Sequence, residues 1–150
     1  MEILEYCNCN SKKIGDAMKS FQLKIMACDR VFYDGECESF VFPGYDGEMA
    51  ILAGHEPMTT TLEIGEIRFR KPGETEWQRA IVSDGLIKVD KGQVNVLVYS
   101  AEKPEEIDKF RAQAALERAK EQMQQKQSII EYHVSRASMA RAMARLRGCK

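Results

Sequence analysis

Apolar and polar residues alternate from Phe21 onward. Phe21, Leu23, Ile25 and Ala27 interleave with Gln22, Lys24 and Met26, a period of two that sets one face of a strand inward. Asp34-Gly35 reads as a turn between short strands. Over Glu36–Phe42, Cys37, Ser39 and Val41 take one side and Glu38, Phe40 and Phe42 the other. Pro43-Gly44 and Asp46-Gly47 then punctuate the chain. Met49–Leu52 is a short apolar strand, and 53–57 is a loop. Strands follow at Thr59–Leu62, Glu66–Arg70, Trp77–Val82, Leu86–Val89 and Gln93–Tyr99. The breaks between them fall at Gly65, Pro72-Gly73, Asp84-Gly85 and Lys91-Gly92. About nine short strands closed by turn residues predict an antiparallel sandwich or barrel.

The period changes after residue 103. Pro104 suits a first helical turn, because its missing N–H would be unpaired there anyway, and Glu105, Glu106 and Asp108 carry the charge sign that a helix start favours. Ala112, Ala115, Ala119 and Met123 recur at helical spacing, as do Ala137, Ala140 and Ala144 further on. Between the two runs there is no Gly or Pro, and only Ser128 and Glu131, spaced as a capping box, mark a new start. Such a segment folds back as a hairpin or runs on as a longer rod. Alanine faces bury little area, so two such helices hold each other weakly. The chain therefore divides into an extension over 1–20, a sandwich over 21–103 and a helical arm over 104–150. Met18 reads as a natural start for the core.

Composition narrows the function. The formal net charge is −1 and charged residues make up 30% of the chain, which argues against a general nucleic-acid or membrane-surface role. The charge is uneven, however. From Tyr132 to Lys150 stand Arg136, Arg141, Arg145, Arg147 and Lys150 with no acid among them. The five cysteines (Cys7, Cys9, Cys28, Cys37 and Cys149) are odd in number and scattered, which predicts reduced thiols in a cytosol rather than a disulfide framework. Cys7-Asn8-Cys9 lacks the second pair or the histidine that a metal site needs. No apolar run approaches the roughly 20 residues of a membrane span. His55 beside Glu56 has neither nucleophile nor metal partner, and reads as a local hydrogen bond or subunit contact. His133 and Trp77 read as surface or packing residues, and no phosphate-binding P-loop is present.

Several stretches in order resemble one family. They are Phe42-Pro43-Gly44-Tyr45-Asp46-Gly47-Glu48-Met49-Ala50-Ile51-Leu52-Ala53-Gly54-His55-Glu56-Pro57, Leu62-Glu63-Ile64-Gly65, Asp84-Gly85-Leu86-Ile87-Lys88-Val89, Val94-Asn95-Val96-Leu97 and Ile107-Asp108-Lys109-Phe110-Arg111-Ala112. Together they resemble the epsilon subunit of bacterial F-type ATP synthase, from Phe21 to about Arg147. The resemblance implies an α+β fold, with a β-sandwich of about ten strands followed by a two-helix hairpin. It implies a non-catalytic subunit of the rotary central stalk, peripheral on the cytoplasmic face of the bacterial membrane. The gamma subunit and the c-ring are the implied partners. The beta (and alpha) subunits join them when the arm is extended and blocks ATP hydrolysis.

Some members of the family bind ATP on the folded arm through an I/L-D-x-x-R-A motif, which stands here as Ile107, Asp108, Arg111 and Ala112. The resemblance adds Glu102, Arg118, Arg141 and Arg145. It requires no cofactor and implies ATP as a regulatory ligand. The spacing agrees: Arg111 and Arg118 share a helix face with Asp108, and Arg141 and Arg145 share another. Two arginine pairs on facing helices are expected to converge on a triphosphate. Asp108 is expected to accept from adenine or ribose, and Glu102 to do the same or to hold an arginine. Two other function classes stand beside this one. A stand-alone nucleotide sensor would lack a gamma partner. An enzyme on the sandwich would need a catalytic constellation that the sequence does not supply.

Overall fold

The computed structural model describes residues 20–125 and 128–149, so the expected extension over 1–20 lies outside the described residues apart from Ser20. Ten strands form two five-stranded sheets. The first has the order β2-β1-β9-β8-β5, from β1 (Phe21–Ala27), β2 (Val31–Cys37), β5 (Met58–Leu62), β8 (Gly85–Asp90) and β9 (Gln93–Val98). The second has the order β10-β7-β6-β3-β4, from β3 (Ser39–Gly44), β4 (Gly47–Leu52), β6 (Gly65–Arg70), β7 (Gln78–Val82) and β10 (Ala101–Glu102). The pairing is antiparallel except between β1 and β9, which run parallel.

The alternation in the sequence becomes the core. Leu23, Ile25, Ile87, Val94 and Val96 from the first sheet meet Phe40, Phe42, Ile67, Phe69 and Ala80 from the second, all buried. Phe40 and Phe42 stack at 5.4 Å between ring centroids. The two-residue turn Lys91-Gly92 between β8 and β9 has φ of 36° and 81°, the left-handed pair of a hairpin turn whose twist matches its strands. At Gly85 the need is space: a Cβ there would lie 2.1 Å from the carbonyl oxygen of Leu97.

The structure corrects two readings in the sandwich. Asp34-Gly35 is not a turn but the middle of β2, paired with Lys24 and Leu23 of β1. Gln22 and Lys24 hold the Asp34 carboxylate at 2.8 and 3.2 Å, so the cross-strand partners satisfy the turn-like residue. The turn lies earlier, at 28–30. The expected strand Glu36–Phe42 breaks at Glu38, where the chain passes from the first sheet to the second. Met49–Leu52 is the greater part of β4, but only Ile51 is buried there.

The helical arm also departs from expectation. Pro104–Glu106 is a single 3-10 turn, Ile107 returns to extended backbone, and α1 spans Lys109–Gln124 with Asp108 as its N-cap. The second helix, α2, spans Ile129–Gly148 and opens on the Ser128/Glu131 capping box read from the sequence. The helices pack against one another, and α2 also packs against β6 and β7. Ala140 and Ala144 line a groove against Pro43, Ile64 and Ile81 of the sandwich, so the face expected to meet α1 lies on the sandwich instead. The opposite face of α2 is buried too, at Ser135 and Ala142. Small residues on both faces let α2 sit between α1 and the second sheet. Gly148 ends that contact: a Cβ there would meet the Ile81 side chain at 2.5 Å.

Candidate functional site

A cleft of about 370 Å³ opens where the sandwich edge, the 3-10 turn Pro104–Glu106 and both helices meet. The sandwich contributes Glu102, the last residue of β10, which pairs with Ile81 of β7. The link between sandwich and α1 contributes Glu106 and Ile107. The first turns of α1 contribute Asp108, Arg111, Ala112, Ala115 and Arg118, and α2 contributes Arg145.

Of the eight residues expected at a nucleotide site, seven line this cleft: Glu102, Ile107, Asp108, Arg111, Ala112, Arg118 and Arg145. Arg141 does not. It lines a separate, much smaller cavity against Ser83 and Ser100, and donates to the Ser138 hydroxyl at 3.1 Å. Arg145 and Glu102 border both spaces. The cleft thus receives two arginines from α1 and one from α2. Glu106 and Ala115 complete the lining and were not singled out from the sequence. Ala115 carried a signal, one turn beyond Ala112 on the alanine stripe. Glu106 carried only its place in an acidic first turn.

The charges fall into two groups. Glu102 grips Arg145 in a bidentate pair, with Nε donating to Oε2 at 2.8 Å and Nη2 to Oε1 at 2.5 Å. That hydrogen bond outweighs burial and raises the Arg145 pKa. Of the two roles expected for Glu102, this geometry serves the second, holding an arginine. Asp108 is occupied as well: its Oδ1 accepts from the backbone N–H of Phe110 at 2.9 Å and of Arg111 at 3.2 Å. The motif aspartate therefore starts α1, three residues before Arg111. Glu106 accepts from the Lys103 N–H and from Arg30 at 3.2 Å, which together hold its carboxyl below the usual range.

Arg111 and Arg118 form the other group. Among the described residues no carboxylate comes within ion-pair distance of either. Arg118 donates from Nε to the Ala114 carbonyl at 3.2 Å, which leaves its terminal nitrogens available. Both lie one residue before a buried alanine, Ala112 or Ala119, so the packing of α1 sets them on one face, two turns apart, along the cleft. Glu102 and Glu106 are paired with cations, Asp108 is engaged by backbone N–H groups, and the Arg111 and Arg118 guanidinium groups have no carboxylate partner among the described residues. Such a site favours an anion with several oxygens, which forked donors bind in pairs.

The remaining candidates take structural places. His55 is exposed in the loop after β4, with Nδ1 2.8 Å from the Glu56 carbonyl. His133 is exposed and stands edge-on to Tyr132 at 5.9 Å. Cys37 is buried, and burial pushes its thiol pKa up; Cys28 and Cys149 are free thiols. Cys7 and Cys9 lie outside the described residues. Among the described residues no group of three metal-ligating side chains comes together, and no helix is long and apolar enough to cross a membrane.

Residues 20–104 match the family described as the ATP synthase Delta/Epsilon chain beta-sandwich domain, and residues 105–149 match its long alpha-helix domain. An ATP synthase epsilon chain from Ruminiclostridium cellulolyticum is 43% identical over 129 residues, covering 86% of this chain and 95% of that one. Another, from Caldicellulosiruptor saccharolyticus, is 39% identical over 130 residues, covering 87% and 93%. Among solved structures, a chain of the Euglena gracilis mitochondrial ATP synthase OSCP/F1/c-ring assembly superposes with a TM-score of 0.74 at 22% identity, over 89% of this chain and 84% of that one. A chain of the Tetrahymena thermophila mitochondrial ATP synthase central stalk and c-ring gives 0.65 at 10% identity, over 86% and 96%, and shares the fold. The chain belongs to the epsilon-subunit family of bacterial F-type ATP synthases, non-catalytic subunits of the central stalk.

Proposed function

We propose that the chain is a nucleotide-gated regulatory subunit of the rotary stalk, bound to the gamma subunit and the c-ring through its sandwich and peripheral to the membrane. In this reading ATP occupies the cleft between sandwich, hinge and arm. ATP holds the arm folded and turnover proceeds. When ATP is scarce, the arm lifts toward the beta subunits and blocks hydrolysis.

One observation carries the reading. The cleft takes Glu102 from the sandwich, Arg111 and Arg118 from α1, and Arg145 from α2, so it is complete only while the arm is folded. A ligand that binds one conformation stabilises it by RT ln(1 + [L]/Kd), roughly 2.7 kcal/mol at a hundredfold excess over Kd. Without nucleotide the folded arm rests on Ala112, Ala119, Ser135 and Ala142 at its buried helix faces and Ala144 toward the sandwich, side chains that bury little area. A term of that size decides such an equilibrium. The volume of about 370 Å³ lies at the lower end of small-ligand sites. Arg111 and Arg118 take the phosphates, and Arg145, held by Glu102, completes the far wall.

Calorimetric titration of ATP into the isolated chain tests this. Saturable one-to-one binding is expected, weakened at least tenfold by Arg111→Ala or Arg118→Ala. Arg141→Ala, outside the cleft, is expected to have a smaller effect. No heat at millimolar ATP would sink the reading. So would equal crosslinking of the extended arm with and without ATP in the assembled enzyme.

A further inference from the structure

The cavity that holds Arg141 adjoins the nucleotide cleft. It measures about 10 Å³, room for about one water. Glu102, Arg141 and Arg145 line it together with Ser83 and Ser100, and Glu102 and Arg145 border the cleft as well. Arg141 and Arg145 are four residues apart on α2, so they present one face. Glu102 belongs to the sandwich, where β10 pairs with β7.

Arg141 is half-buried in this cavity and only locally held. Its Nη2 donates to the Ser138 hydroxyl of its own helix. Among the described residues no carboxylate lies within ion-pair distance of it. The Ser83 hydroxyl is engaged on both sides: it accepts from the Ser100 N–H at 3.0 Å and donates to the Asp84 carbonyl at 3.2 Å. The acid that lines the cavity is Glu102, and both of its oxygens are on Arg145.

A nucleotide changes the demands on that pair. A triphosphate in the cleft competes for the Arg145 guanidinium. It also brings negative charge beside the Glu102 carboxylate, which lines the same cleft. Taking a partner from a half-buried carboxylate is costly, and a neighbouring like charge raises the cost. A second arginine on the far side of the carboxylate offsets both effects. Carboxylate oxygens have spare acceptor capacity, and a guanidinium carries its donors in a fork.

We propose that Arg141 is a positioning residue for the nucleotide site, and that it acts through Glu102. When phosphate recruits Arg145, Glu102 keeps its Oε2 on Arg145 Nε and passes Oε1 from Arg145 Nη2 to Arg141. The Nη2 group is released to the phosphate, while the bond at Nε keeps the guanidinium oriented. The arm stays tied to the sandwich, through two arginines instead of one. Arg141 itself touches no ligand atom. This deepens the nucleotide reading and rests on it.

Calorimetric titration of ATP into the full-length chain tests the exchange, run on wild type, Arg141→Gln, Glu102→Gln and the double variant. Arg141→Gln is expected to weaken ATP about three- to fivefold, and Arg141→Lys, which keeps the charge, less than about twofold. Without the Glu102 carboxylate there is nothing to hand over, so adding Arg141→Gln to Glu102→Gln should leave the affinity unchanged. Energy transfer between dyes on the arm and the sandwich, without nucleotide, should be the same in Arg141→Gln as in wild type, because the Glu102–Arg145 pair is then intact. Loss of closure in that variant would reduce Arg141 to a structural contact and overturn the proposal. Equal weakening of ATP in both backgrounds would make Arg141 a direct ligand and overturn it too, as would an unchanged affinity in Arg141→Gln. In each of these cases the wild type still binds ATP and the nucleotide reading stands. No binding by the wild type would overturn that reading, and the exchange with it.

Discussion

The contact that most directly ties the arm to the sandwich is the Glu102–Arg145 pair, and Glu102→Gln tests what it contributes. Both partners sit at about one-third exposure, with side-chain accessibilities of 31% and 32%. A hydrogen bond to a charged group is worth about 1.5–3 kcal/mol when removed from a buried site. An exposed ion pair contributes about 0.2–1 kcal/mol. A bidentate pair with a third of each side chain in water lies between these limits, at about 1–2 kcal/mol. That corresponds to a roughly 5–30-fold change in the ratio of folded to lifted arm. Glutamine keeps the shape, but removes the charge and turns one acceptor into a donor that faces the guanidinium.

The assay is intramolecular energy transfer between dyes placed at Tyr132 on the arm and Glu76 on the sandwich, in the isolated chain without nucleotide. Both positions are exposed. The folded fraction should fall in Glu102→Gln by the stated factor. It should recover in the charge-swapped double variant Glu102→Arg/Arg145→Glu. Added salt should weaken the wild-type closure modestly, because screening acts on the exposed third of the pair. An unchanged folded fraction in Glu102→Gln at low salt would refute the claim that this pair holds the arm down.

Other predictions follow from single contacts. Asp108→Ala should cost about 1 kcal/mol of α1 stability by removing its cap and should lower ATP affinity several-fold, whereas Asp108→Ser should retain both; equal loss of affinity in the two variants, measured by calorimetry, would make Asp108 a direct ligand instead. Gly85→Ala drives a Cβ to 2.1 Å from the Leu97 carbonyl oxygen and should destabilise the sandwich by at least about 2 kcal/mol in urea melts. Gly148→Ala clashes with the Ile81 side chain at 2.5 Å and reaches Ile107 only at 4.0 Å, so it should lift the arm in the energy-transfer assay and leave the sandwich melt in place. The Glu131 carboxyl is held below its ordinary value of about 4.5 by the Ser128 N–H and then by the Ser128 hydroxyl. A folded pKa below the unfolded one stabilises above about pH 4.5, and the contribution is lost as pH falls through the lower folded value. Circular dichroism should show α2 losing helicity in that acid window, and Glu131→Gln should remove the pH dependence of this step.

How far the sequence carried depends on the range of the forces involved. Where burial acts on one strand, alternation was enough: Phe21, Leu23 and Ile25 face the core, as do Val94, Val96 and Val98. The Ser128/Glu131 start of α2 was legible for the same reason, since a capping box is complete within four residues. The Asp34-Gly35 misreading shows where locality fails. That dipeptide favours a turn in isolation, but Lys24 and Gln22 across β1 supply Asp34 with two partners, and Val31, Phe32 and Tyr33 before it already carry strand character. The helix start was misplaced from Asp108 to Pro104 for a related reason. Pro104 suits the first position of any helical turn and here begins a 3-10 turn, while the residue that satisfies the free N–H groups of α1 is Asp108. This changes the site as well as the fold, because the motif aspartate becomes the cap that accepts the free N–H groups of Phe110 and Arg111. Seven of the eight expected site residues share one cleft because the motif lies within the first turns of α1 and its outliers, Glu102 and Arg145, bind each other. Arg141 falls outside because α2 is rotated by a contact that no local pattern encodes. Its Ala140–Ala144 face lies on the sandwich, which leaves Arg145 at the cleft and turns Arg141 toward Ser83 and Ser100. The sandwich therefore sets the rotation of α2, so which arm residues line the cleft depends on a surface with which they share no sequence signal.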